Sequence, residues 1–374
     1  MTEKLILVAP NSYKECTDSV SAANLITSLL DKNLRNKAIS NFKIITKPIS
    51  DGGDGFAKVC SFYHNTDKMK FDILTPWGKD KLTVKVEYSE RNKTVYIESA
   101  SVLGLKVIPQ NKRNPLRLNS FGLGELLLNL EKFEQKEIEK VVIGIGGTGT
   151  SDLGIGMCSA FGMKLFDKHG KPVEPYPVNF SKVNSLKWEK PALRFKLEVV
   201  VDVNNPLLGE KGANRTFAEQ KGASKNDIEV LENGFSDILK VAGARNETAL
   251  SGAGGGLAAA FQFFFGAKII LARDFIRNEL GISKKSLEPD VLITGEGKVD
   301  EQTLMDKGSM IIINEFSDPE CKKILVVGQS KTVLENVYTV ELSKYFSSVE
   351  ESISRFEVGM ELAIREISER FFVS

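Results

Sequence analysis

Histidine is almost missing from this chain: among 374 residues only His64 and His169 occur. His64 stands in the polar stretch Tyr63-His64-Asn65-Thr66-Asp67 and His169 in an Asp-Lys-His-Gly turn, so both read as surface residues. A serine or cysteine triad needs a histidine beside its nucleophile, so acid–base work falls to Asp, Glu or Lys. Cysteine is sparse too. Cys16, Cys60, Cys158 and Cys321 are far apart with no C-x-x-C pair, which argues against a zinc site or disulfide scaffold and for a reduced compartment. Neither sign of charge dominates: 50 Lys and Arg against 49 Asp and Glu leave +1, with no basic field for nucleic acid. Long apolar runs are also lacking. The stretch Leu257–Ala272 is broken by Gln262, Gly266 and Lys268 and reads as a buried helix running into a strand. A soluble, cytoplasmic protein without membrane or nucleic-acid partners is expected. No G-x-x-x-x-G-K-[ST], H-R-D or D-F-G occurs, so the P-loop and the protein-kinase set are excluded.

What the chain does have is glycine and carboxylate together, at the ends of strand-like runs. Asp51-Gly52-Gly53-Asp54-Gly55 follows Ile44-Ile45, and Gly144 through Asp152 follows Val141-Val142-Ile143. Gly295-Glu296-Gly297-Lys298-Val299-Asp300 follows Val291-Leu292-Ile293. Asp202-Val203-Asn204-Asn205-Pro206 follows Val199-Val200-Val201, and Ala9 through Glu15 follows Leu5-Ile6-Leu7-Val8. Glycine lets backbone N–H groups turn toward a phosphate, and carboxylates hold a divalent ion that neutralises it. The combination predicts an enzyme acting on an anionic, metal-bound phosphate.

The apolar runs alternate with helical patterns of one to two dozen residues, the mark of βαβ units around a mostly parallel sheet. A helix is expected near Asp18–Leu30, with Asp18 or Thr17 as its cap, and another near Gly55–Tyr63. Between them and the next parallel segment the pattern changes. Phe71–Leu74, Leu82–Tyr88 and Thr94–Glu98 are split by turns and predict antiparallel hairpins. Parallel α/β returns at Val291–Thr294 and Ile324–Val327 and closes with a helix near Ser352–Phe371. The fold class is therefore α/β with two α/β domains. Residues 1–64 and 283–374 would form a discontinuous flavodoxin- or Rossmann-like domain with a parallel sheet. Residues 65–282 would form an inserted domain with a mixed sheet.

Gly144-Ile145-Gly146-Gly147-Thr148-Gly149 also fits the dinucleotide pattern G-x-G-x-x-G, with Asp167 near the distance of a ribose-binding acid. An NAD-dependent oxidoreductase is thus a rival reading. Against it, Asp152 would repel a pyrophosphate at the helix start unless a cation intervened. Ser251-Gly252-Ala253-Gly254-Gly255-Gly256 opens an apolar helix and suits either an anion or close helix packing.

Taken together, several motifs resemble the bacterial glycerate kinases of the first type. They are Val8 through Lys14, Ser50 through Gly55, Ile143 through Met157, Val201 through Leu207, Gln220-Lys221-Gly222-Ala223-Ser224 and Leu292 through Asp300. They keep the family's order and spacing over nearly the whole chain. The resemblance implies ATP-dependent phosphorylation of D-glycerate, usually to 2-phosphoglycerate, with magnesium, on two α/β domains with the active site between them. The sequence departs from the family pattern at Asn11, where an Asp is usual, and at Asp54, where a Glu is usual. It departs again in the Gly147–Gly154 loop and at Asp306-Lys307-Gly308-Ser309, where Gly-Lys-x-Pro is usual.

On that reading Asp51 or Asp202 accepts the proton of the glycerate hydroxyl, and Asp152, Glu296 and Asp300 are candidates for magnesium or its bound water. Lys14 and Lys298 face the glycerate carboxylate or the ATP phosphates. Gly146, Gly147, Thr148, Thr150, Ser151, Gly252, Gly254, Gly255 and Gly295 are the candidate nucleotide contacts, and Asn11, Ser12, Asp54 and Asn205 the candidate substrate contacts. The partners are D-glycerate and ATP; an oligomer is compatible with the sequence but not predicted by it. A catalytically silent sensor of phosphorylated acids is the remaining alternative.

Overall fold

The computed structural model describes residues 3–202, 205–244, 252–299 and 308–372. In chain order its strands begin with β1 (Lys4–Val8) and β2 (Phe42–Thr46). They continue with β3 (Asp67–Leu74), β4 (Lys81–Ser89), β5 (Thr94–Glu98) and β6 (Lys140–Ile145). Three short strands follow: β7 (Lys164–Phe166), β8 (Pro172–Val173) and β9 (Ser185–Lys187). The last are β10 (Lys196–Val201), β11 (Lys268–Leu271), β12 (Val291–Val299), β13 (Lys322–Ser330) and β14 (Val337–Glu341).

The chain divides into two compact units, Met1–Asp51 with Ala272–Ser374, and Gly52–Leu271. The first holds an all-parallel sheet in the order β14-β13-β12-β1-β2. Counted within this unit, that is the flavodoxin-like order, whose switch point lies at β1 and β12. Its inner strands read as unbroken aliphatic runs because helices cover both faces. Ile6, Val8, Ile293 and Val326 are buried with Ile26 and Leu30 of helix Ser19–Asn36 and with Met360 and Ile364 of helix Phe356–Phe371. Asp18 caps the first of these, accepting the Ser21 N–H at 3.0 Å. The closing helix expected near Ser352–Phe371 breaks at Arg355 into Val349–Ser354 and Phe356–Phe371.

The second unit carries a mixed sheet in the order β11-β10-β6-β5-β4-β3. Strands β5, β6, β10 and β11 run parallel, while β3–β4 and β4–β5 pair as the antiparallel hairpins the turns predicted. A small antiparallel sheet, β8-β7-β9, stands apart from it. The expected boundaries at 64/65 and 282/283 are displaced in the structure. Helix Phe56–His64 goes with the mixed sheet, because the Phe56 ring fills the space beside Gly144 of β6. Helix Ala272–Asn278 goes with the parallel sheet: Arg277 pairs with Glu315, and Lys47 donates to the Leu280 carbonyl at 3.3 Å. Among the described residues no helix is long and apolar enough to cross a membrane.

Candidate active site

Ligands of open parallel sheets bind outside the carboxyl ends of the strands, at the switch point. In the first unit that edge carries an acidic cluster. Val8 of β1 lies opposite Ile293 of β12, so the loops after them are neighbours, joined by the Asn11 N–H donating to the Gly295 carbonyl at 2.8 Å. The Asn11 amide donates to the Asp51 carboxylate at 3.0 Å, and its own carbonyl accepts the Ser12 N–H at 2.8 Å. Glu296 stands on β12 and accepts both the N–H and the hydroxyl of Ser309, the N–H at 3.0 Å. Burial is the main cause that lifts the Glu296 carboxyl to about 7. The Asp51 charge adds to this, while the Ser309 hydrogen bonds and the Lys14 charge oppose it. Two carboxylates near enough to disturb one another are a place where a cation lowers the energy.

The glycines here make room. A Cβ at Gly295 would lie 2.1 Å from the Tyr13 hydroxyl, and one at Gly297 3.0 Å from the Lys14 N. Gly308, at φ +50°, would bring a Cβ to 2.8 Å from Glu296 Oε1. Gly295 is therefore filled in by protein rather than open to a nucleotide. The Gly-Glu-Gly pattern lets the Tyr13–Lys14 loop lie flat on β12 while Glu296 projects. Lys14 and Lys298 are exposed, and Lys298 shares the Glu296 side of the strand. Asp300 lies outside the described residues.

The second unit gathers its loops at the same kind of edge. Val201 of β10 is in register with Ile145 of β6, and Glu98 of β5 with Gly144, so Asp202, Gly146 and Ser99 follow three neighbouring strand ends. Gly146 is held by Ser99, whose hydroxyl lies 3.3 Å from the Gly146 N and 3.4 Å from its carbonyl oxygen. A Cβ at Gly146 would be 2.5 Å from Gly53 Cα, and one at Gly147 2.7 Å from Asp54 Oδ1. Asp54 pairs with Lys106 at 2.8 Å. Glu98 accepts the Gly55 N–H at 3.0 Å, and burial raises its pKa.

From Thr148 onward the loop turns inward, and several expectations need correction. Thr148, Thr150 and Ser151 are buried; two of their hydroxyls face Lys221 rather than solvent. The Lys221 ammonium donates to the Thr150 carbonyl at 2.7 Å and lies 3.4 Å from Ser151 Oγ and 3.5 Å from Thr148 Oγ1. Burial pushes Lys221 down to about 8, against the charge of Asp152. Asp152 is no metal ligand in this arrangement. It is wholly buried, and its oxygens take the Ser120 N–H and hydroxyl and the N–H groups of Gly154 and Gly156. Gly254, Gly255 and Gly256 are left-handed in succession, and a Cβ at Gly255 would lie 2.3 Å from the Thr150 carbonyl oxygen. Gly252 gives its N–H to the Asn205 carbonyl at 3.1 Å. Close packing explains this glycine run. Asn205 itself donates to the Lys211 carbonyl at 3.0 Å. Of the expected nucleotide contacts, Gly147 is exposed, while Gly146 and Gly254 are half-buried.

The dinucleotide reading fails on the same geometry. Gly144 is filled by the Phe56 ring, and Asp167 closes a hairpin turn by accepting the N–H groups of His169 and Lys171. Lys221, Glu98 and Ser309 are further residues of these clusters that the sequence did not predict. Lys221 stands in one of the motifs carrying the family resemblance, which is the signal that marks it.

Comparison with known proteins agrees. The sequence model of the Glycerate kinase family matches residues 6–369. The chain is 32% identical over 317 residues to the glycerate 2-kinase of Escherichia coli (strain K12), covering 83% of this chain and 81% of that one. It is 29% identical to a glycerate kinase of Halalkalibacterium halodurans, over 97% of each chain. A solved structure from Salmonella typhimurium LT2, described as a glycerate kinase 2, superposes with a TM-score of 0.77 at 25% identity over 98% of both chains. The chain belongs to the glycerate kinase family.

Proposed function

We propose that this protein transfers the γ-phosphoryl group of ATP to the 2-hydroxyl of D-glycerate, giving 2-phosphoglycerate and ADP. The observation that carries the reading is the acidic cluster of Asp51 and Glu296 at the flavodoxin switch point, in a chain that matches the glycerate kinase family from end to end. Phosphoryl transfer asks for positioning and charge neutralisation more than covalent chemistry. Asp51, steadied by the Asn11 amide, accepts the hydroxyl proton. Asp202 is the alternative base. Lys14 and Lys298 take the anionic groups of the substrates, while Ser12 and Asp54 are retained as contacts to glycerate. Gly146 and Gly147 lie against the phosphates, where a side chain would block the approach.

Glu296 suits magnesium: it offers hard oxygen, and the cost of burying its charge, which is the main cause of its raised pKa, is what a divalent ion relieves. Among the described residues no three His, Cys, Asp or Glu gather as a ready cage. That fits an ion that uses one or two carboxylates and completes its shell with phosphate oxygens and water. Such an ion would neutralise charge on the transferred group. The Gly-Glu-Gly strand and the Ser309 bonds fix the Glu296 carboxylate before any ligand arrives.

Phosphorus NMR of a reaction with D-glycerate, ATP and magnesium tests the proposal. A 2-phosphoglycerate resonance growing with that of ADP is expected; 3-phosphoglycerate, or ADP without a phosphorylated acid, would refute it.

A further inference from the structure

The loop after β6 is walled on one side by residues 99–108 of the same unit, a segment to which the proposed function gives no task. The two stretches follow each other contact by contact. The Ser99 hydroxyl holds Gly146, and a Cβ at Gly147 would lie 3.4 Å from that of Ala100. The Gly149 N–H donates to the Leu103 carbonyl at 2.6 Å, and Gly104 forms an antiparallel bridge with Thr148. The chain then turns sharply: the N–H groups of Val107 and Ile108 both return to the Gly104 carbonyl, at 3.0 and 3.2 Å. Arg113 braces the turn, donating to the Leu105 carbonyl at 2.7 Å and to that of Ile108 at 3.2 Å. Leu105 and Ile108 occupy the space that a side chain at Gly149 would need. Turn and glycine loop are thus one braced piece.

From this turn Lys106 reaches out. Its ammonium lies 2.8 Å from Asp54 Oδ2, and Asp54 Oδ1 is the atom that a Cβ at Gly147 would meet at 2.7 Å. One carboxylate therefore links the ammonium to the exposed Gly147. A pair so open to water contributes little to stability, so its placement has another cause. Electrostatics supplies one. Asp54 and Glu98 set two acids beside a loop whose backbone is to accept phosphate, and each repels an anion. Lys106 opposes both: it pairs with Asp54, and its charge lowers the Glu98 pKa against burial, the main cause raising it, and against the Asp54 charge. An ammonium has three rotatable donors and makes charge-assisted hydrogen bonds to phosphate oxygens. Its flexible stem lets it swing from Asp54 to a phosphate while Arg113 keeps the backbone still.

We propose that Lys106 binds a phosphate of ATP at the Gly146–Gly147 loop, with Asp54 holding the ammonium there before the nucleotide arrives. The inference rests on the reading that this loop takes the triphosphate. It adds a side-chain cation to a site otherwise built from backbone.

Lys106→Met removes the charge and keeps the stem at an exposed position, so the melting temperature should hold. The KM for ATP should rise about tenfold with the glycerate KM unchanged, and Lys106→Arg should stay within about threefold of the native value. An unchanged KM for ATP in Lys106→Met, or a rise in the glycerate KM alone, would overturn the proposal. The double variant Asp54→Asn with Lys106→Met separates contact from mere neutralisation. Contact predicts a KM for ATP that stays raised; its return to the native value, once both charges are gone, would overturn the contact. Gly147→Ala tests the underlying reading of the loop by itself. A raised KM for ATP there, beside an unchanged one in Lys106→Met, would remove Lys106 and leave the loop in place, whereas unchanged values in both would remove the two together.

Discussion

Asp152 takes both the backbone N–H and the hydroxyl of Ser120 at 2.7 Å each, tying the loop after β6 to the start of helix Phe121–Glu131. The same carboxylate accepts the N–H groups of Gly154 and Gly156 at 3.3 and 3.0 Å. Removing it strands several buried donors at once. Asp152→Ala is expected to lower stability by about 3–5 kcal/mol. Urea denaturation measures this, and a loss below about 1 kcal/mol would show that the donors find other partners.

Gly255 separates packing from anion binding. At φ +68°, with its Cβ position 2.3 Å from the Thr150 carbonyl oxygen, it tolerates no side chain. Gly255→Ala is expected to cost about 3 kcal/mol or more in stability, from backbone strain and overlap together. A stable Gly255→Ala protein that has lost ADP affinity would instead restore the phosphate role to this run.

Glu296 links pH to both stability and activity. Its carboxyl is held at about 7, against 4.5 in a model peptide, chiefly by burial. The folded state therefore binds this proton more tightly than the unfolded chain. The resulting stability is complete below 4.5 and is lost as pH rises through 7, about 3 kcal/mol in all. Glutamine mimics the protonated form. Glu296→Gln should be more stable than the native protein at pH 8 by about 1–3 kcal/mol, should lose that advantage near pH 5, and should turn over poorly at every pH. Thermal denaturation at the two pH values, with kcat beside it, checks the pair; a variant destabilised at pH 8 would show that the charge is already compensated.

The sequence carried the fold further than the site. Alternating and continuous apolar patterns report directly on one- and two-sided burial, so the antiparallel β3–β5 and the parallel strands of the first unit could be read as such. The unit boundaries could not, because the side that claims Phe56–His64 is decided by where the Phe56 ring goes, beside Gly144. In the site, a glycine signals only that a side chain is excluded. At Gly147 the excluding neighbour is Asp54 at an open loop, whereas at Gly255 it is the Thr150 backbone inside the protein. Nothing local distinguishes the two. Lys221 escaped for a related reason: in Gln-Lys-Gly-Ala it looks like a solvated side chain, and only the fold reveals that Thr148, Thr150 and Ser151 surround its ammonium.

Steady-state ADP release with D-glycerate, ATP and magnesium, comparing the native chain with Asp51→Asn, tests the central claim most directly. The acidic cluster of the flavodoxin-like unit is held to supply the base for transfer. Asparagine preserves the shape beside Asn11 and removes only the charge and the proton-accepting oxygen. The account predicts a fall in kcat of about 10²–10⁴ with the KM for ATP nearly unchanged. Turnover by Asp51→Asn equal to that of the native enzyme would contradict it.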